Sequence, residues 1–284
     1  MSDTLLRISK PLDPLITDIL QRVDAACVKT RVSYFVIGAM ARDIVLTNVF
    51  DIDTGRATRD VDFAIAVKNW NQFDSLKQRL LAEGQARADN KTTHRIFMGK
   101  PAGIPVDIVP YGKIAEPGKA VAWPPGGDTR MNVTGFAEAA AHALRVKLKS
   151  KLFIPVASLP GLAVLKLLAW ADRRNQTKDA TDLGILFRYY ERAGNQNRLY
   201  DEHADLLEAF GYDPELAGAA LLGQDAKSIC LEDTYRAVAG LLKEQTANDE
   251  PQDLALGLNI GTGYENPQER ARQMLSSFAF GFLE

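Results

Sequence analysis

Residues 31–50 read RVSYFVIGAMARDIVLTNVF, residues 58–65 read TRDVDFAI and residues 105–109 read PVDIV. In the first stretch, β-branched and aromatic residues over 31–37 predict a buried strand, and Gly38 ends the run. The Ala, Met, Arg and Leu content that follows favours a helix. The unit is therefore a strand, a glycine turn and a helix.

After the loop DIDTGRATR, Val61, Phe63, Ile65 and Val67 alternate with Asp62, Ala64 and Ala66. This is the pattern of a strand with one apolar face, with Asp60 and Asp62 together on the other. Residues 71–83 place Phe73, Leu76, Leu80 and Leu81 at helical spacing. HRIFM and IPVDIVPY then predict a hairpin whose second strand carries Asp107 at its centre. The cluster WPPGGD (123–128) interrupts the pattern, and residues 133–158 predict a short helix followed by strand.

Beyond Leu159-Pro160-Gly161 the periodicity turns helical, in LAVLKLLAWADRR, DATDLGILFRYYERAG, HADLLEAFG and around 213–245 and 267–283. Residues 246–268 predict a long loop region with a short ordered insert. The expectation is an α+β chain: residues 1–158 form a catalytic domain with a small mixed sheet flanked by helices, and residues 159–284 a helical domain completing the active-site cleft.

With 284 residues and 46% hydrophobic content, the chain can build these cores without a metal or disulfide staple. Cys27 and Cys230 are far apart, and no secretory apolar region precedes the first polar residues, so a reduced, cytoplasmic protein is expected. The apolar stretch 162–171 is interrupted by Lys166 and is too short to span a bilayer, which argues against a membrane protein. Lys and Arg total 34 against 36 Asp and Glu, a net charge of -2. Any nucleic-acid partner must then be held by a local basic patch. Arg145, Lys147, Lys149 and Lys151 alternate with Val146, Leu148, Ser150 and Leu152, so in one strand the four cations would share a face, with Arg173 and Arg174 extending it. A solvated sheet face has the same pattern.

Two carboxylates two residues apart on a strand leave the same face and converge on a cation, and repel each other without one. Asp107, in an otherwise apolar strand, needs a partner if buried. A metal shared with Asp60 or Asp62 would supply it, and so would an arginine. Oxygen ligands of this kind suit Mg2+, with Mn2+ as a substitute, whereas the three histidines are scattered and give little support to a zinc site. Gly38 permits a triphosphate to approach backbone N–H groups at the following helix, and Arg42, a turn later, would reach the same phosphates.

FVIGAMARDIV, TRDVDFAI and PVDIV resemble the catalytic signature of the nucleotidyltransferase superfamily related to DNA polymerase beta. LPGLAVLKLLAWADRRNQTKDATDL (159–183) resembles the helical segment of the abortive-infection nucleotidyltransferase toxins of the AbiEii type. Together the two cover roughly residues 32–190. The resemblance implies metal-binding and catalytic roles for Asp60, Asp62 and Asp107, and a nucleotide-facing role for Lys166. It implies that Gly38, with the main chain of Ala39, and Lys178 and Asp179 lie at the nucleotide, beside the Arg42 already placed there by its position in the helix. Ala39 stands where the superfamily usually has Gly or Ser, the separation from Gly38 to Asp60 is longer than usual, and GAMARD is also similar to the GGAVRD of tRNA CCA-adding enzymes.

The implied reaction is magnesium-dependent transfer of NMP from an NTP such as ATP to a hydroxyl on tRNA or another RNA, by the toxin of a toxin–antitoxin or phage-defence system with a cognate antitoxin. An aminoglycoside-like small-molecule transferase, or a silent fold serving as a binding module, are the alternatives. For Lys166 the bland alternative is a lysine snorkelling from a buried helix; for Lys178 and Asp182 it is ordinary helix surface pairing.

Overall fold

The computed structural model describes residues 5–56, 58–82, 85–100, 103–115, 119–124, 127, 129–248 and 252–284. Parts of the expected 123–128 break and of the 246–268 loop, together with Glu83, lie outside them. Two compact units are present: residues 1–51 with 55–158, and Ile52–Thr54 with Leu159–Glu284.

The first unit runs β1 (Leu5–Arg7), α1 (Pro14–Thr30), β2 (Ser33–Ile37), α2 (Gly38–Asp43), β3 (Val61–Ala66), α3 (Trp70–Ala82), β4 (Ala86–Ala88), β5 (Arg95–Met98), β6 (Ile104–Tyr111), β7 (Ala120–Ala122), β8 (Arg130–Asn132), α4 (Phe136–Ala141), β9 (Leu144–Lys149) and β10 (Leu152–Val156). Eight strands form one mixed sheet in the order β1-β9-β10-β2-β3-β6-β5-β4. The β5–β6 hairpin is as the sequence predicts, and β3 pairs parallel to β6 at the centre.

The N-terminal β1 and α1 carry no signal in the motifs above. Even so, α1 starts for clear local reasons: Asp13 accepts hydrogen bonds from Leu15 N (2.7 Å) and Ile16 N (3.3 Å), and Pro14 opens the first turn. Its face of Ile19, Leu20, Val23 and Cys27 is buried, and the helix lies against β2 and β10 and packs on α3. After Asp43 the helix widens into a π-helical segment, Ile44–Val49.

Two departures from the expected strand pattern matter for function. The segment predicted as one strand through Lys151 turns at Ser150-Lys151, so Lys151 stands in the turn between β9 and β10 rather than on the face of Arg145, Lys147 and Lys149. At the other site, β3 begins at Val61 and Asp60 precedes it. The reason is visible next door: β2 ends at Ile37, the partner of Asp62, and Gly38 turns away, which leaves no ladder for residue 60.

The second unit is helical: α5 (Leu159–Asp172), α6 (Lys178–Tyr189), α7 (Ala204–Ala209), α8 (Pro214–Ile229), α9 (Glu232–Gln245), α10 (Asp253–Gly257) and α11 (Pro267–Leu283). α5 is buried over most of its circumference because α6, α8 and α9 all pack on it. α8 and α11 approach so closely that a Cβ at Gly281 would overlap the Ala220 carbonyl, and one at Gly223 would strike Phe278 O. Phe187, Phe278 and Phe282 stack beside that contact. Among the described residues, no helix is long and apolar enough to cross a membrane.

Candidate active site

Gly38 adopts φ +69°, a left-handed conformation that glycine reaches at little cost. A second constraint acts on the same residue. A Cβ built there would collide with Oδ2 of Asp62, so the missing side chain is what allows the turn to sit against this carboxylate. We expect Gly38→Ala to displace the Asp62 carboxylate and to destabilise the fold by about 1–3 kcal/mol through backbone strain. Transfer activity should fall by about a hundredfold, as for an ångström-scale misplacement of a reacting group. Thermal melting and turnover of the same preparation check both, and wild-type turnover would show that the contact is incidental.

Asp62 is the register partner of Asp107 across the parallel β3–β6 pair, so the two acids stand side by side on one sheet face. Asp107 is in turn the register partner of Arg95 on β5. The Arg95 guanidinium donates from Nε to Oδ1 and from Nη2 to Oδ2, both at 2.7 Å. This fork is the strong, charge-assisted geometry, and it raises the Arg95 pKa further, with the Asp107 hydrogen bonds as the main cause. The partner that Asp107 requires is therefore an arginine in this state.

Asp60 is exposed, and its Oδ1 accepts a hydrogen bond from the Thr58 hydroxyl. The Thr58 backbone N–H donates to Asp43 Oδ2 at 3.0 Å. Arg42, 1% exposed, donates from Nε (2.9 Å) and Nη2 (2.6 Å) to Asp43 Oδ1. Arg42 thus stands buried against its neighbour instead of reaching outward from the first turn. Arg42, Asp43 and Thr58 form a chain of contacts that ends on the Asp60 carboxylate. Ala39 follows Gly38 in the first turn of α2 and is half-buried.

Lys166 belongs to a cluster inside the helical unit. Its Nζ lies 3.0 Å from Asp179 Oδ1 and 2.5 Å from Asp182 Oδ2, and Arg173 Nε donates to Asp179 Oδ2 at 2.7 Å. Burial alone would push the Lys166 pKa down, yet Asp182 and Asp179 outweigh it and the value is raised. For Asp179, burial acts to raise the pKa, and Lys166 and Arg173 overcome this to lower it. Lys166 is thus neither snorkelling into solvent nor alone, and Asp182 answers Lys166 rather than the exposed Lys178.

Three of these residues escape a reading of sequence motifs, Arg95, Asp43 and Thr58, while Arg173, expected to extend the basic face, turns onto Asp179. The one local hint is Arg95 at the start of the hairpin strand that faces Asp107.

Hard oxygen donors from Asp60, Asp62 and Asp107 are the chemistry that a divalent cation such as magnesium takes. The residues fit such an ion to this extent: Asp62 and Asp107 are adjacent in register, and the missing side chain at Gly38 makes room for the Asp62 carboxylate. As the side chains now stand, no group of three or more His, Cys, Asp or Glu among the described residues could hold a metal ion. Both oxygens of Asp107 are turned onto Arg95, which would have to share or release them.

Residues 38–256, well over half the chain, match the family described as "Nucleotidyl transferase AbiEii toxin, Type IV TA system". The chain belongs to the AbiEii nucleotidyltransferase family. As a member it is a nucleotidyltransferase, an enzyme that transfers NMP.

Among solved structures, the chain is similar to the antibiotic-resistance factor ANT(2'')-Ia in solution, with 12% identity over 71% of this chain and 99% of that one and a TM-score of 0.38. It is similar to an antigenic nucleotidyltransferase-like protein from Paracoccidioides brasiliensis, with 16% identity over 72% and 96% and a TM-score of 0.40. A CCA-adding enzyme in complex with ATP matches at 12% identity over 93% and 79%, with a TM-score of 0.32. No curated protein matches the chain by sequence.

Proposed function

We propose that this AbiEii-family enzyme uses Mg2+, with Mn2+ as a substitute, to transfer NMP from an NTP to a hydroxyl of tRNA or another RNA. In this reading it is the toxin of a toxin–antitoxin pair, and a cognate antitoxin is its protein partner. The observation that supports the reading best is the seating of Gly38 on Asp62, beside Asp107 in register.

Asp60 and Asp62 would hold the metal that carries the triphosphate, with Asp107 joining them at the acceptor side. When bound, the ion supplies Lewis-acid polarisation of the phosphoryl group and lowers the pKa of the attacking hydroxyl. The hydroxyl oxygen bonds to the α-phosphorus, the bond to the bridging oxygen breaks and pyrophosphate leaves. Asp107 accepts the hydroxyl proton, a task for which it must first be freed in part from Arg95. Arg95, once released from one oxygen, keeps a positive charge beside the reacting phosphate. The backbone N–H groups after Gly38 donate to the triphosphate, with Ala39 contributing only its main chain. Thr58 holds Asp60 in place; Lys166 and Lys178 would offset the nucleotide's negative charge, Lys166 only once it is released from Asp179 and Asp182.

The test is incubation of the protein with each labelled NTP, magnesium and total RNA, following the label. Transfer of label to RNA, abolished by chelation, is the expected outcome. Magnesium-dependent label on a small cationic sugar with none on RNA would replace RNA with a small-molecule acceptor, and no NTP consumption at all would leave a silent fold.

A further inference from the structure

Arg145, Lys147 and Lys149 alternate along β9 and project from one face. β1, which no motif announces, pairs parallel to β9 and sets Arg7 in register with Lys147. On the other side β10 sets Phe153 opposite Lys147 and Pro155 opposite Arg145. The Arg145 guanidinium lies 4.6 Å from the Phe153 ring centroid and the Lys147 ammonium 5.8 Å from it. Cation–π contact steadies both side chains without neutralising them. Among the described residues none of Arg7, Arg145, Lys147 or Lys149 forms an ion pair, although Arg42, Arg95, Arg173 and Arg270 do.

The register carries this face to the carboxylates. Val156 pairs with Val36, and Val36 with Phe63, so Pro155 and Phe153 share a face with Phe35 and hence with Asp62. β9 is three strands from β3, a lateral separation of roughly 14 Å. Unpaired cations at i, i+2 and i+4 stand about 6.6 Å apart, comparable with neighbouring phosphates on an extended nucleic-acid strand. A cationic sugar would be repelled here, whereas a polyanion gains by displacing counterions.

We infer that the β1–β9–β10 face, through Arg7, Arg145, Lys147 and Lys149, is the docking surface for the phosphate backbone of the RNA acceptor. This rests on the reading of RNA as acceptor, and it places the strand on the carboxylate side of the sheet.

The experiment measures binding of a fluorescein-labelled single-stranded oligoribonucleotide by anisotropy across a salt series, for the parent and for Arg145→Gln/Lys147→Gln/Lys149→Gln. The variant should bind at least about tenfold more weakly near 0.15 M salt, and its log–log salt slope should be shallower by about two. The charge-retaining Arg145→Lys/Lys147→Arg should bind like the parent, which separates charge from folding. Unchanged melting and an unchanged rise in melting temperature on adding NTP and magnesium, without RNA, are expected for both variants. Parental affinity and slope in the triple variant would overturn the assignment, as would a larger loss of binding to phosphatidylserine vesicles than to RNA. A parent that binds RNA in this way but consumes no NTP would refute the proposed function and leave the docking surface standing.

Discussion

Asp62→Asn should abolish nucleotidyl transfer while leaving the protein folded. Asp62 is the pivot of the site: Gly38 sits on its carboxylate, Asp107 is its neighbour across the parallel pair, and the Val61–Ala66 strand around it is buried at the centre of the sheet. Asparagine keeps the shape and loses the anionic oxygen that a hard cation requires. Stabilisation of the transferring phosphoryl group by a metal is worth several kcal/mol, so the expected loss is about a thousandfold or more in turnover.

Folding should respond in the opposite sense. Without divalent metal, replacing one of two adjacent carboxylates with a neutral amide relieves repulsion, and melting temperature should hold or rise slightly. The stabilisation that magnesium and NTP give the parent is binding free energy seen through linkage, and it should disappear in the variant. Near-parental turnover, or an undiminished ligand-induced shift, would remove Asp62 from the metal site. Arg95 offers an internal comparison, because its fork neutralises Asp107.

The strand, glycine turn and helix around Gly38 were legible because each rests on local chemistry: β-branched and aromatic content over 33–37, one residue able to take φ +69°, then helix formers. The hairpin and its central Asp107 were legible for the same reason, since alternation and a Gly-Pro turn suffice. What escaped was non-local. Arg95 meets Asp107 only after the hairpin register is set, and a shift of one residue would send it to the other face. Arg42, next to Asp43 in a short helix, reads as a phosphate ligand, but burial turns the guanidinium onto the carboxylate. The cations of 145–151 showed their alternation, not the turn at Ser150-Lys151 that removes the last of them. β1 is three residues long and depends wholly on β9 for its ladder, so its own pattern says little.

Lys166→Met should destabilise the helical unit, because the lysine is the principal counter-charge to two buried aspartates. Methionine matches the stem and preserves the packing of α5 against α6. It leaves Asp182 without the ammonium at 2.5 Å, and Asp179, 0% exposed, with the Arg173 guanidinium as its remaining counter-charge. Removing one partner of a buried pair costs about 3–5 kcal/mol. Arg173 offsets part of this, so about 3 kcal/mol and roughly 10 °C in melting temperature are expected. The pH dependence follows from the two shifts. Lys166, with its folded pKa raised above 10.5, contributes stability that is fully present below 10.5 and is lost as pH rises through the folded value. Asp179, with its folded pKa lowered below 3.8, contributes stability present above 3.8 and lost as pH falls through the folded value. The parent should therefore show a plateau between these limits. The deficit of the variant should be largest on that plateau and should narrow on acidification, as the stranded carboxylates take up protons. Melting curves at about pH 7 and about pH 4 test this directly, and a variant as stable as the parent at both would show that the cluster contributes nothing to folding. Activity separates the two roles of the lysine. If Lys166 also serves the triphosphate, turnover falls by about one to three orders of magnitude even at temperatures where the variant is fully folded, and the NTP-induced rise in melting temperature shrinks. If both survive in the folded variant, Lys166 holds Asp179 and Asp182 and nothing more, and the chemistry belongs to the carboxylates of the sheet.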